Sequence, residues 1–174
     1  MEANQSFLEV SMPRHFFIYP LLMCALILSS AALAQSVEPR PGWRVVKTEQ
    51  SYDELVESVS SSIKAEGMLL VTQASASAGA KGQGITIPGN RVIGVYRNDF
   101  ARRMLDASVA SGIEAPIRFY ITENTDGTGT LSWKTPSFVF EPYMGESGGQ
   151  LKALASELDG VFMKIADRAV GSEN

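Results

Sequence analysis

Apolar positions near the C-terminus recur every three or four residues. Residues at this spacing share one face of a helix, so the pattern predicts an amphipathic helix. The stripe consists of Leu151, Leu154, Leu158, Val161, Phe162, Ile165 and Ala169. An earlier helix is predicted after Ser51, which forms a capping box with Glu54, and Gly67 ends it. The apolar face of that helix comprises Tyr52, Leu55, Val56, Val59 and Ile63.

A third helix is predicted to run to about Ser111, with Asn98 or Asp99 as its cap. Strands are predicted where β-branched and aromatic residues cluster between turns. These segments are residues 43–50, 68–75, 91–97, 117–124 and 128–135. Asp126-Gly127 favours a tight hairpin turn between the last two.

The resulting order of elements is βαββαββα. This order predicts an α+β fold, in which an antiparallel sheet carries helices packed on one face. Beyond the hairpin, Phe138 and Phe140 are two residues apart, and we expect them on one face of the sheet.

Residues 1–34 have the pattern of a secretory signal peptide. Arg14 and His15 form the basic start, residues 16–28 are almost wholly apolar, and Ala32-Leu33-Ala34 is an A-x-A cleavage site. An uncleaved membrane anchor is the alternative, but a spanning helix needs about 20 apolar residues and this run is shorter. We therefore expect cleavage between Ala34 and Gln35, and a periplasmic or secreted protein without stable membrane insertion. Met12 is an alternative start. Residues 35–42 are predicted to be a flexible N-terminus and residues 43–174 a single domain.

The signal peptide holds His15 and Cys24, which are the only histidine and the only cysteine of the chain. The expected mature protein therefore contains no histidine and no cysteine. This excludes a nucleophile activated by a histidine base, a zinc site with Cys or His ligands, and thiol redox chemistry. We accordingly predict no catalytic residue, no metal and no cofactor.

The charge of the chain disfavours nucleic acid as a partner. The full sequence has 15 basic and 19 acidic residues, and cleavage leaves 14 and 17, a net charge of −3. Nucleic-acid-binding proteins usually carry a basic patch or stripe. Here the basic residues are dispersed, and Arg102-Arg103 is the only adjacent pair.

Residues from about 52 to 142 resemble the domain of unknown function 302 family. The resemblance rests on the segments SYDELVESV, GMLLV, RVIGVYRND and IEAPIRFYITENTDGTGTLSWKTP. It implies a TATA-binding-protein-like α+β fold without DNA binding, and a homodimer. Many relatives carry an Asp-His-Ala segment after the second strand, whereas the matching stretch here is QASASAGAKG. The family's Gly-Asn-Pro turn is replaced by Arg97-Asn98-Asp99. An activity that depends on the family's histidine is therefore not expected in this chain.

Three groups of residues are candidates for ligand binding. In the first group, Asn98 at a helix N-terminus could hold an anion together with Arg97 and Arg118. In the alternative interpretation, Asn98 is simply a helix cap, and the two arginines are solvated or form salt bridges. Lys81 lies in GAKGQG, which lacks the Lys and Ser/Thr that follow a phosphate loop. A flexible surface loop is favoured there, with Lys81 as an anion contact if the loop covers a pocket. Trp133 and Tyr120 belong to the aromatic-rich hairpin, where a hydrophobic ligand, a core or a dimer interface is expected.

The leading functional hypothesis is a non-catalytic protein that binds a small ligand or a periplasmic protein. One alternative is an enzyme that uses only carboxylate, Tyr and Lys groups, with Glu123, Lys134 and Tyr120 nearest the hairpin. Another is a structural subunit of a periplasmic envelope or redox complex.

Overall fold

The computed structural model describes residues 37–171, so the predicted signal peptide and its cleavage site lie outside the described residues. The chain forms a five-stranded sheet of order β1-β5-β4-β3-β2, in which every neighbouring pair is antiparallel. The strands are β1 (Trp43–Ser51), β2 (Leu69–Ala74), β3 (Asn90–Tyr96), β4 (Ile117–Glu123) and β5 (Thr128–Lys134). The predicted α+β class and the five predicted strands are confirmed.

Helices pack against this sheet. The α-helices are α1 (Tyr52–Ala65), α2 (Ala76–Lys81), α3 (Asn98–Ala107), α4 (Pro136–Phe140) and α5 (Gln150–Val170). Two short 3-10 helices occupy Ala110–Glu114 and Glu141–Glu146. Among residues 37–171, no helix combines the length and the apolar character needed to cross a membrane.

The hydrophobic core lies between one face of the sheet and the pair α1 and α5. Phe119 of β4 is at its centre, with its ring stacked 4.4 Å from Phe162 of α5 and tilted 5.7 Å from Trp133 of β5. These side chains share a face because alternate residues of a strand point the same way and the register pairs Phe119 with Trp133. We call this side the helix face.

The predicted capping box at the start of α1 is confirmed. The Glu54 amide donates to Ser51 Oγ at 3.4 Å, and Glu54 Oε2 accepts from the Ser51 amide at 2.9 Å. Hydrogen bonds from Ser51 lower the pKa of the Glu54 carboxyl below its ordinary value. Both hydrogen bonds satisfy amides that the helix itself leaves without partners.

The predicted cap and end of the third helix are wrong. The cap position of α3 is Arg97, which makes no side-chain cap hydrogen bond. Asn98 is not free to cap, since its Oδ1 accepts from the Tyr96 hydroxyl at 3.3 Å, and Asp99 is held by Arg97 at 2.8 Å. The helix stops at Ala107 because Ser108 is extended and its hydroxyl donates to Glu146 at 2.5 Å.

The expectation that Phe138 and Phe140 share a sheet face is also wrong, because they lie in α4 and not in a strand. Thr135 caps that helix and Pro136 occupies its first turn, where its fixed φ is favourable. In a helix, residues two apart point in different directions. Phe138 is accordingly 38% exposed, whereas Phe140 is 1% exposed in the core.

Candidate functional site

Among residues 37–171, no such helix layer covers the sheet face opposite α1 and α5, and we call this side the open face. Its residues alternate with those of the core along each strand. One row runs Thr72, Gly94, Arg118, Lys134, Trp43, and the next runs Ala74, Val92, Tyr120, Ser132, Val45. Antiparallel sheets commonly leave one face to solvent, but that face is usually polar throughout. Here an apolar row lies next to a cationic one.

A cleft of about 510 Å³ lies over these two rows. Val92 and Tyr120 belong to its sheet wall, and Trp43 of the edge strand β1 bounds one side. Glu114 of the first 3-10 helix and Val139 of α4 come from outside the sheet. A largely apolar cleft with a few convergent polar groups is the usual form of a small-molecule site. We refer to it as the open-face cleft.

Two cations face each other across the strands in this cleft. Continuing the register by one residue beyond the pair Phe119 and Trp133 brings Arg118 of β4 beside Lys134 of β5. Both side chains are exposed. Neither belongs to an ion pair in the described part of the chain, where the three salt bridges involve other arginines. Like charges directly opposite each other on a sheet are unfavourable, so the pair is suited to an anionic group that bridges it.

The half-buried Trp43 provides the indole of the cleft. Its ring lies 5.1 Å from the Arg40 guanidinium and 5.9 Å from Lys134 Nζ, within the range of cation–π contacts. These contacts hold the ring beside the cationic row. An aromatic ligand in the cleft therefore meets an aromatic surface and two positive charges at once.

The carboxylate of the cleft is already engaged. Glu114 Oε1 accepts a hydrogen bond from the Tyr143 hydroxyl at 2.9 Å. This hydrogen bond, followed by burial, raises the pKa of Tyr143. Glu114 is thus engaged by Tyr143 and forms no ion pair with Arg118 or Lys134.

A family model, domain of unknown function DUF302, matches residues 44–168. The chain belongs to this family. The match confirms the resemblance found between residues 52 and 142 and extends it on both sides. The crystal structure of an uncharacterized conserved DUF302 protein from Bacillus stearothermophilus has a TM-score of 0.65 and 19% sequence identity. The structural match covers 75% of this chain and 99% of the Bacillus stearothermophilus chain. No curated protein matches the sequence.

The DUF302 domain brings only part of the predicted ligand-binding set together. Arg118 and Tyr120 both line the open-face cleft. Trp133 also belongs to the cleft wall, but its side chain is 2% exposed and packs against Phe119 on the helix face. Trp133 is therefore a core residue that supports the wall, and Trp43 provides the indole.

Arg97 and Asn98 lie away from this cleft. The Arg97 guanidinium is bound to Asp99 and lies 4.1 Å from the Phe100 ring. The hydrogen bond from the Arg97 side chain is the main cause of the lowered pKa of Asp99. The structure thus does not join Arg97 and Arg118 into one anion site.

Lys81 lies at a second cleft on the other side of the sheet. The stretch expected to be a flexible loop instead contains α2, because alanine favours helix and Ser75 caps it by accepting from the Ala78 amide at 3.1 Å. α2 lies beside both clefts, with Ala76 at the open-face cleft and Lys81 at the second.

The three groups considered for catalysis are divided between the same two clefts. Tyr120 and Lys134 line the open-face cleft, whereas Glu123 lies at the second cleft. Tyr120 and Glu123 are three residues apart on one strand, so their side chains point to opposite faces. Among residues 37–171, no three His, Cys, Asp or Glu side chains cluster closely enough to hold a metal ion.

Proposed function

We propose that this DUF302 protein is a non-catalytic binding protein whose open-face cleft holds a small aromatic or apolar ligand that bears an acidic group. The observation that carries the proposal is the neighbouring pair Arg118 and Lys134 at the edge of an apolar cleft, where neither forms an ion pair with any residue between 37 and 171. An acidic group bridges the two cations, and the apolar part of the ligand lies on Trp43, Tyr120 and Val92. The absence of histidine and cysteine from residues 35–174 supports binding over catalysis.

The binding takes place in the periplasm or outside the cell under this proposal, after cleavage between Ala34 and Gln35. The support is the signal-peptide pattern of residues 14–34. Mass measurement of the protein purified from its own host tests this part. A chain that begins at Gln35 supports export, and a chain that begins at Met1 or Met12 contradicts it.

Anilinonaphthalene sulfonate is a suitable probe for the cleft, because it joins an aromatic body to one acidic group. Its neutral counterpart, phenylnaphthylamine, lacks the sulfonate. We expect the sulfonate to bind more tightly than the neutral probe. Lys134→Ala or Arg118→Ala should lower the affinity for the sulfonate about tenfold, the loss typical of one charge-assisted hydrogen bond.

Lys47→Ala is the matched control. Lys47 is an exposed lysine on the same sheet face, opposite Thr130, but it does not line the cleft. Equal binding of the sulfonate and the neutral probe contradicts the proposal, as does an equal loss in the Lys47 variant.

A homodimer is the competing occupant of the open face. Native mass spectrometry of the same protein distinguishes the two occupants. A dimer that excludes the probe, and that Trp43→Ala dissociates, assigns the face to a second copy. Retained small-molecule mass assigns it to a ligand.

A further inference from the structure

The second cleft lies on the helix face, where the first turn of α1 meets the connection between β2 and β3. Its volume is about 500 Å³, and polar and apolar atoms contribute about equally to its lining. Arg91 and Glu123 come from the sheet, Tyr52 and Asp53 from α1, and Lys81 from α2. It lies on the opposite side of the sheet from the open-face cleft, so it is a separate site.

Two polar groups in the wall of this cleft lack hydrogen-bond partners. Three buried side-chain polar atoms have no partner within the part of the chain that the structure describes, and two of these, Tyr52 Oη and Arg91 Nε, belong to residues that line the cleft. Folded proteins pair nearly all buried polar atoms, because an unpaired one costs about 1–3 kcal/mol. Each of the two atoms has almost no accessible surface, so a ligand in the cleft meets the polar side chains around them and not these atoms themselves.

The cations of the cleft are also only partly engaged. Arg91 Nη1 donates to Gln73 Oε1 at 2.8 Å, but neither Arg91 nor Lys81 forms an ion pair among residues 37–171. Arg91 and Glu123 lie on the same face of neighbouring strands, but Arg91 pairs with Ile121, which is two residues from Glu123 along β4. Their charged ends do not meet, so both charges remain available to a ligand.

The backbone orients one carboxylate of the cleft, that of Glu123. Glu123 Oε2 accepts from the Gly89 amide at 2.5 Å. The ring of Tyr52 lies against Gly89, where a Cβ would come within 2.7 Å of the ring. This packing keeps Glu123, Gly89 and the ring of Tyr52 together as one wall. Asp53 lies beside Tyr52 and completes a lining of two cations and two carboxylates.

We infer that this second cleft binds a small zwitterion of the amino-acid or dipeptide class. The ligand's carboxylate is held by Lys81 and Arg91, and its ammonium group by Glu123 and Asp53. A lining of zero net charge disfavours a multiply charged anion such as a nucleotide. The cleft is also large enough for a dipeptide. This inference does not depend on the proposed function of the open-face cleft.

Three related probes test the inference by amide NMR titration of the full protein. They are dialanine, which is a zwitterion, N-acetyl-dialanine, which lacks the positive charge, and dialanine amide, which lacks the negative charge. We expect dialanine to shift amides of the second cleft, and each single-charge probe to bind at least about tenfold more weakly.

Lys81→Ala is the informative variant. Lys81 is exposed, so its truncation tests a binding contact without disturbing the core. It weakens dialanine binding by about tenfold. Lys152→Ala, an exposed lysine on α5, is the matched control and leaves binding unchanged.

The inference is overturned if dialanine at millimolar concentration shifts no amide of this cleft, or shifts only those of the open face. It is also overturned if N-acetyl-dialanine binds as tightly as dialanine, which indicates a simple anion site. Arg118→Ala weakens sulfonate binding at the open face about tenfold but leaves dialanine binding intact, so failure of one proposal is distinguishable from failure of the other.

Discussion

Arg118 and Lys134 lie side by side on neighbouring strands, and no carboxylate among the described residues forms an ion pair with either. An ordinary sheet surface places opposite charges across such a pair, because each favourable pair contributes about 0.2–1 kcal/mol. The arrangement is therefore unfavourable for folding alone. It is favourable for an anion that contacts both strands.

The charge reversal Lys134→Glu is the direct test of this arrangement. It converts the repulsive pair into an attractive one, so we expect the free energy of unfolding to rise by about 0.5 kcal/mol, a small gain because both groups are exposed. The same variant loses sulfonate binding. Urea denaturation and probe titration on one preparation measure both effects. Lys47→Glu is the control, and a similar gain in that variant, or a loss of stability in Lys134→Glu, contradicts the interpretation.

Gly129 of β5 allows α1 to approach the sheet closely. A Cβ at this position would lie 2.6 Å from Leu55 Cδ2 and 3.1 Å from Leu55 Cβ, and both residues are buried. We expect Gly129→Ala to lower the free energy of unfolding by about 1–3 kcal/mol, since α1 must shift to admit the methyl group.

Gly160→Ala is the matched control for that substitution. Gly160 is an exposed position within α5, and a Cβ there would meet nothing within 4 Å. Alanine is favoured over glycine inside a helix, so we expect a gain of about 0.5–1 kcal/mol. Opposite signs for the two substitutions in thermal or urea denaturation support close packing of α1 on β5. A loss in both variants contradicts it.

Much of this architecture follows from short-range patterns in the sequence. The stripe from Leu151 to Ala169 and the Ser51–Glu54 capping box predict α5 and α1 correctly, because spacing and capping are local properties. Phe138 and Phe140 show the limit of such patterns. Spacing of two fits a strand, and the local signals at Thr135 and Pro136 that start a helix decide against it.

The candidate site is harder to predict, because it depends on strand register. Arg118 and Tyr120 are identifiable from sequence as hairpin residues, but the opposition of Arg118 and Lys134 requires knowledge of which residues pair across the hairpin. Trp43 was missed for the same reason, since it reaches the cleft only because β1 pairs with β5. The sequence alone does show that Trp133 and Lys134 face opposite sides of the sheet, because adjacent residues of a strand point to opposite faces.

Ser51 contributes to stability through the cap of α1. We expect Ser51→Ala to lower the free energy of unfolding by about 1 kcal/mol, because the Glu54 amide loses its acceptor at the helix N-terminus. Ser61→Ala is the control on the same helix, where the Ser61 hydroxyl donates to the Ser58 carbonyl and caps nothing. That variant should change stability by less than about 0.5 kcal/mol. Equal losses in the two variants would show that the cap has no special role.

Glu54 makes part of this stability dependent on pH. Its pKa is lowered from the ordinary value of 4.5, mainly by the hydrogen bond from the Ser51 side chain and then by that from the Ser51 amide. A carboxyl whose pKa is lower in the folded state contributes stability above its unfolded pKa, and this contribution is lost as the pH falls through the folded pKa. The pKa values of Asp99, Asp126 and Glu157 are lowered as well, so the whole domain should lose stability as the pH falls below about 4.5.

Glu54→Gln separates the charge of this residue from its geometry. Glutamine is also found at this position of capping boxes, so the variant keeps an acceptor for the Ser51 amide but has no proton to gain. We expect the variant to be less stable than the wild type at neutral pH and equal to it well below pH 4.5, because the protonated Glu54 has also lost its charge by then. Urea denaturation across this pH range measures the difference. A difference that stays constant from neutral to acid pH would mean that the Glu54 carboxylate does not contribute through its charge.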